Sequence, residues 1–254
     1  MIMVSSNLET GVVVDYVSGA PNLAHHQTAD STFYQWLSKR NYTQDWMMRR
    51  GLLEEQVVWH KTYPTNSGVL LGAEGLAREM FGGNLMNTKC TASLMAEIVS
   101  GQLFPEARQY FLDMLYHPLD NAYTTYGKGL PPGSVIYTKV GNAYDTIEEV
   151  AYVLLPNGKR FVISTFTNGY EPTESNFDTL SHFIELVIEE AKLDEGLPPK
   201  YVFDVTDSNF FSSGQWSVGQ ARDMYGSQFK YTTTAGSSGG WKFKLPEEGL
   251  YEVS

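Results

Sequence analysis

Apolar residues recur at helical spacing in the first part of the chain. Leu8, Val12, Val13 and Tyr16 form one such set, and Gly19-Ala20-Pro21 stops it. Phe33, Trp36 and Leu37 form a second over residues 30–40, with Asp30 or Ser31 as its cap. Residues 41–84 break the pattern. They are rich in Gly, Asn, Thr and aromatics, with short helical pieces around 44–50 and 72–80. A connection of that length in a compact domain is usually functional. Helical spacing returns with Leu94, Met95, Ile98 and Val99 behind a Thr91 cap. It returns again with Phe111, Leu112 and Leu115, after Pro105 at a helix start.

After Gly127-Lys128-Gly129-Leu130-Pro131-Pro132-Gly133 the pattern changes to strands. Val135 to Lys139 is one run and Val150 to Leu155 another, and the turn Pro156-Asn157-Gly158-Lys159 leads into Arg160 to Thr167. An Asn-Gly pair between two β-rich runs predicts a hairpin. A helix over roughly 174–193 follows, with Phe177, Leu180, Ile184, Val187, Ile188 and Ala191 as the stripe that covers the sheet. Helices, an antiparallel sheet and a covering helix make an α+β domain. Gly196-Leu197-Pro198-Pro199 reads as a stiff linker, and residues 200–254 as a β-rich module.

Both ends are abrupt. Met1-Ile2-Met3-Val4 is apolar throughout and reads as the middle of a buried helix, with no basic region to make it a secretory signal. Gly249 to Ser254 looks like a strand getting under way. The expectation is a piece of something longer, its last module cut before its sheets can close.

Composition narrows the function. Of 254 residues, 42% are hydrophobic, 13% aromatic and 19% charged, which excludes extended disorder. Twenty-nine acidic against eighteen basic residues give a net charge of −11, a poor basis for binding nucleic acid. No apolar run approaches the roughly 18 residues that a membrane span needs. Cys90 is the single cysteine, so no internal disulfide and no cysteine-based zinc site can form. His25-His26 reads as a surface turn and lacks a third ligand at metal spacing. His60 reads as a packed residue of an aromatic loop, His182 as structural among core-facing neighbours, and Cys90 as a packed thiol. Neither a metal nor a cofactor is expected.

Two short motifs carry candidate chemistry. Ser5-Ser6-Asn7 stands just before the first helix, and Lys139-Val140-Gly141 at the end of the first strand, where a glycine lets a ligand approach the backbone. Alone, the first is an N-cap cluster and the second ends in a solvated lysine. In order and context the chain resembles the penicillin-recognising serine hydrolases, most closely their class A β-lactamase-like branch. In that family an apolar segment runs into Ser-Asp-Asn and an amphipathic helix. A long loop, two helices and a Leu-Pro-x-Gly turn then precede a Lys-Thr-Gly strand. Here Leu130-Pro131-Pro132-Gly133 precedes Lys139-Val140-Gly141, and the resemblance covers about residues 1–193.

The resemblance implies a β-lactamase/transpeptidase-like domain over residues 1–195 and acyl transfer through a serine acyl-enzyme. Ser5 would relay a proton toward the leaving group, and Asn7 would hydrogen-bond the substrate's acyl side chain. Lys139 would hold the motif serine and attract a substrate carboxylate. Gly141 would open the strand end, and the backbone N–H of Asn142 would serve as an oxyanion donor. Substrates would be β-lactams, peptidoglycan-like peptides or simple esters. Three departures stand beside it. The family's Ser-x-x-Lys nucleophile lies upstream of Ser5, Ser6 replaces the family's Asp, and Val140 replaces the Thr or Ser that binds the substrate carboxylate. Valine cannot donate that bond. Glu54 or Glu55 is the candidate base for activating water. The chain alone is therefore expected to be inactive or nearly so.

Residues 200–254 have a resemblance of their own. Val202 to Phe210, Gly214-Gln215-Trp216-Ser217 and Leu245-Pro246-Glu247-Glu248-Gly249-Leu250-Tyr251 are similar to golvesin-like or xanthan-lyase-type β-sandwich modules. Those are appended to secreted enzymes and associated with carbohydrate. Trp216 and Trp241 are either core residues of the module or part of its binding face. The rival reading is a non-catalytic secreted or surface binding protein on a decayed hydrolase scaffold. Both families imply an exported protein.

Overall fold

The computed structural model describes residues 2–3, 5–54, 72–83, 85–120, 124–143, 145–197, 208, 210–219 and 229–242. The chain divides into two compact units, Met1–Glu195 and Gly196–Ser254.

The first unit opens with helices α1 (Asn7–Ser18), α2 (Ser31–Arg40), α3 (Tyr42–Arg49), α4 (Gly72–Phe81), α5 (Thr88–Ser100) and α6 (Arg108–Leu115). Strands β1 (Tyr116–His117), β2 (Val135–Ala143), β3 (Thr146–Leu154) and β4 (Arg160–Phe166) then form one antiparallel sheet in chain order. Helix α7 (Glu174–Glu190) closes the unit. The mixed α+β architecture follows the sequence pattern, and the strands are longer than their apolar runs. The β2–β3 ladder continues to Ala143 and Thr146, beyond Lys139 and before Val150, because polar residues there still pair through the backbone.

Alternation sorts the sheet's residues onto two faces. On one, Ile136, Ala151 and Val153 pack with Ile184 and Ile188 of α7 and with Tyr126 and Leu130. On the other, Tyr152 packs with Met95 of α5 and Leu115 of α6, joined by Tyr137, Val150 and Val162. Two bare glycines bring connecting segments close: a Cβ at Gly129 would lie 1.9 Å from the Ser181 carbonyl oxygen, and one at Gly127 equally near that of Leu119. A 3-10 turn, Gly127–Gly129, is thereby pressed against α7.

The helical part has its own core of Phe33, Trp36, Leu37, Ala73 and Ala77. Within it the Arg40 guanidinium is buried and donates to the buried Glu74 carboxylate, to Asp15 of α1 and to the Ala20 carbonyl, tying three helices together.

Several expectations are corrected. Residues 2, 3 and 5 form a turn rather than a buried helix, with Met3 exposed. The stripe Leu8, Val12, Val13 and Tyr16 faces outward. The inward face of α1 is instead Thr10, Gly11, Val14, Asp15 and Ser18, because the Asp15–Arg40 ion pair fixes the helix's rotation. Helix α5 begins at Thr88, three residues before Thr91, since the Asn87 side chain caps it by accepting from the Cys90 N–H at 2.8 Å. Helix α6 starts after a turn over 105–107 with no side-chain cap. His182 lies on the exposed face of α7, 3.0 Å from Glu185. Two readings agree with the structure: Cys90 is packed beside Leu53, Met47, Met48 and Met86, and His26 sits in a surface turn, 3.0 Å from Asp30. His60 and Glu55 lie outside the described residues.

In the second unit, β5 (Phe210–Ser213) pairs with β8 (Ser238–Trp241), and β6 (Ser217–Gly219) with β7 (Phe229–Tyr231). The rings of Phe210 and Trp241 lie 5.1 Å apart, and the Trp216 Nε1–H donates to the Ser213 carbonyl at 2.9 Å. Trp241 remains 38% exposed, so it does not serve as a sealed core residue.

Candidate active site

Lys139 sits on β2 with its side chain on the face that carries Tyr137, Val150 and Tyr152. It is half-buried, and its ammonium donates to the neighbouring Val140 carbonyl. It has no carboxylate partner among the described residues. Burial pushes its pKa below the ordinary lysine value, and the charge of Glu149 opposes that shift. Across the sheet from Lys139 come Val150 and then Ser164, whose buried hydroxyl lacks a hydrogen-bond partner. Val140 looks the other way, into the buried face opposite Glu149.

Glu149 is almost wholly buried and collects four donors. Its Oε1 accepts from the Thr124 hydroxyl at 2.8 Å and the Thr138 hydroxyl at 2.6 Å. Its Oε2 accepts from the Thr125 N–H at 2.7 Å and from the Thr125 hydroxyl. Tyr126 extends the network, donating to the Glu149 carbonyl at 3.3 Å and standing 2.6 Å from the Thr165 hydroxyl. The Ser181 hydroxyl donates to the Thr125 carbonyl. The network ties segment 124–126 to β2 and β3 beneath the Lys139 backbone. Burial raises the Glu149 pKa, and its donors pull it partway back. Thr124 and Thr125 also line an open cleft of about 280 Å³, with Asp120, Lys128, Asp178 and Ser181. His117 is buried on the Glu149 face. Burial and the nearby Lys139 charge lower its pKa, which keeps it neutral at neutral pH.

The two residues expected at the chain's beginning are exposed. Ser5 has a left-handed backbone (φ 52°), and its N–H donates to the Ile2 carbonyl at 3.3 Å. Ser6, not Ser5, caps α1, and Asn7 is the first helical residue. Ile2 packs against Met95, Leu115 and Tyr152, the cluster that Val150 also joins, and Val150 is the cross-strand partner of Lys139. The N-terminal turn is thereby anchored on the Lys139 side of the sheet. No hydrogen bond joins Ser5 or Asn7 to Lys139 among the described residues. Gly141 lies two residues beyond Lys139 on the same face, and Asn142 is exposed opposite Ile147.

Glu54 is tethered elsewhere. It accepts from Lys89 at 2.9 Å and from Asn87 at 3.1 Å, and the Lys89 hydrogen bond leads the effects that lower its pKa. A carboxylate stabilised as its anion is a weak base for activating water.

Residues 77–187 match the family described as the beta-lactamase enzyme family. The match runs from within α4 to within α7 and takes in the whole antiparallel sheet of this mixed α+β unit. Across its length the chain is similar to golvesin of Dictyostelium discoideum, 32% identical over 261 residues, covering 98% of this chain and 45% of that protein. It thus spans about half the length of this curated relative. Among solved structures, PBP-A is similar at 20% identity, over 61% of this chain and 54% of that one, with a TM-score of 0.45. A beta-lactamase from Chitinophaga pinensis is similar at 14% identity, over 71% and 64%, with a TM-score of 0.48.

The beta-lactamase match includes Lys139, Gly141 and Asn142, and leaves Ser5, Asn7 and Glu54 outside it. It also includes Glu149 and its threonines, which motif reading missed. The available signal was a carboxylate at a core-facing position, between Ile147 and Ala151 of an alternating strand.

Proposed function

We propose that this chain is part of a serine hydrolase of the β-lactamase and penicillin-binding type, transferring acyl groups through a serine acyl-enzyme. The observation that carries the reading is Lys139. Within the beta-lactamase match, at the strand position of the Lys-Thr-Gly motif, a half-buried ammonium has no carboxylate partner among the described residues. An unneutralised cation in a desolvated place suits a hydroxyl or a developing negative charge. In this reading Lys139 orients Ser5, Asn7 contacts the acyl side chain, and the Asn142 N–H faces the oxyanion. Glu54 is not assigned the base. The substrates are β-lactams, peptidoglycan-like peptides or esters, and the protein is exported. The test is labelling of the native full-length protein by a fluorescent fluorophosphonate and a fluorescent penicillin. Labelling on a serine supports the reading, and silence from both reagents on folded protein refutes it.

A second reading has its own support. Val140 is buried away from the Lys139 face, and Ser6 caps a helix, so two motif positions do structural work. With the golvesin similarity over the whole chain, that suits a non-catalytic binding protein whose residues 200–254 take carbohydrate. Retained glycan binding without serine labelling would select it.

A further inference from the structure

The end of the sheet beyond Lys139 carries a charge that acyl transfer does not explain. Gly141 of β2 and Glu148 of β3 are direct cross-strand partners, on the face that also carries Lys139. The Glu148 carboxylate leans over the bare glycine: a Cβ at position 141 would lie 3.3 Å from its Oε2. On its other side Glu148 is paired with Phe166 of β4, a residue 37% exposed. Directly opposed residues hold their Cβ atoms roughly 4.5–5.5 Å apart, so carboxylate and ring share one small surface.

Glu148 is half-buried, and its carboxylate makes no hydrogen bond or ion pair among the described residues. The cation nearest along its face, Lys139, stands diagonally across the ladder and gives its ammonium to the Val140 carbonyl instead. A carboxylate with part of its water removed, an aromatic face beside it and no side chain at 141 lacks only a cation. The same charge repels a ligand carboxylate.

We propose that the Gly141–Glu148–Phe166 surface is a subsite for a primary ammonium or guanidinium group, with Glu148 as counter-ion and the Phe166 ring as its second wall. Resting on the acyl-transfer reading, it makes the preferred substrate an acyl compound with a cationic side group and no carboxylate at this end. The cation would take up a charge-assisted hydrogen bond from the ligand to Glu148 and a cation–π contact with Phe166.

The experiment is a fluorescence titration of the full-length protein with dansylcadaverine, which ends in a free ammonium, and with its N-acetyl and N-succinyl derivatives. The ammonium form should bind at least about tenfold more tightly than the neutral acetyl form, and the succinyl form most weakly. Glu148→Gln should abolish the preference, and Phe166→Leu should weaken it several-fold. Glu190→Gln, an exposed change of the same charge, should leave it intact. Equal affinities in the unaltered protein overturn the proposal. So does a preference that survives Glu148→Gln, or one that falls equally in Glu190→Gln through net charge alone. Parallel fluorophosphonate labelling separates the two readings. Charge preference without labelling keeps the subsite and removes acyl transfer, while labelling without charge preference removes the subsite.

Discussion

The Thr138 hydroxyl donates to the buried Glu149 carboxylate at 2.6 Å, and Thr138 is the residue immediately before Lys139 on β2. The strand that presents the candidate lysine is thus fixed from its opposite face by an acidic side chain. Glutamine at 149 keeps the shape but replaces one acceptor oxygen with a donor amide, leaving threonine or backbone donors without partners. The expected loss for Glu149→Gln at pH 5 is about 1–3 kcal/mol, read by urea denaturation. Its pH dependence has a definite sign. Because burial raises the Glu149 pKa above its ordinary 4.5, the folded state holds its proton to higher pH than the unfolded chain. Stability therefore falls as pH rises from about 4.5 through the raised value. The variant lacks this slope, so its deficit should shrink between pH 5 and pH 7. A constant deficit would show that Glu149 does not titrate differently in the folded state.

Arg40 and Glu74 offer a test of the helical part. Both are buried, and Arg40 also holds Asp15 and the Ala20 carbonyl. Arg40→Met leaves the Glu74 carboxylate without its principal counter-charge and should cost about 3–5 kcal/mol. Adding Glu74→Met removes the stranded charge and should recover most of that loss, since an apolar pair of similar volume is often as stable as the ion pair. Losses in the double variant that equal or exceed those of Arg40→Met would mean that the pair contributes more than mutual neutralisation. Both are read from denaturation midpoints at unchanged slope.

The same network explains where the sequence was legible. Helix α7 shows its inward stripe in the spacing of Leu180, Ile184 and Ile188, because apolar burial alone orients it. Ile184→Ala should cost about 2–5 kcal/mol. Helix α1 misleads: its apolar positions are exposed, with Tyr16 at 88%, because an ion pair from Asp15 sets its rotation. Partners 25 residues apart leave no periodic trace. Tyr16→Ser should therefore change the stability of this chain by no more than about 0.5 kcal/mol. A loss near that of Ile184→Ala would show that α1 buries this face. The candidate site divides in the same way. Lys139 and Gly141 stand out by motif, whereas the roles of Glu148 and Glu149 depend on register, which one sequence does not display.

Lys139 itself allows function to be separated from structure. Its ammonium is half-buried with a backbone carbonyl for a partner, and burial lowers its pKa below the ordinary 10.5. Between that lowered value and 10.5 the folded state binds fewer protons than the unfolded chain, so stability should rise with pH across this window. Lys139→Met removes the charge while keeping the length of the side chain beside Tyr137 and Val150. Its denaturation midpoint at neutral pH should match or exceed that of the unaltered protein, and the rise toward alkaline pH should disappear. Serine labelling by the fluorophosphonate should fall by at least about tenfold, the scale of one lost charge-assisted contact in a transition state. A variant that unfolds more easily would make Lys139 a structural cation. One that folds well and labels at the original rate would place the acyl-transfer chemistry away from this strand.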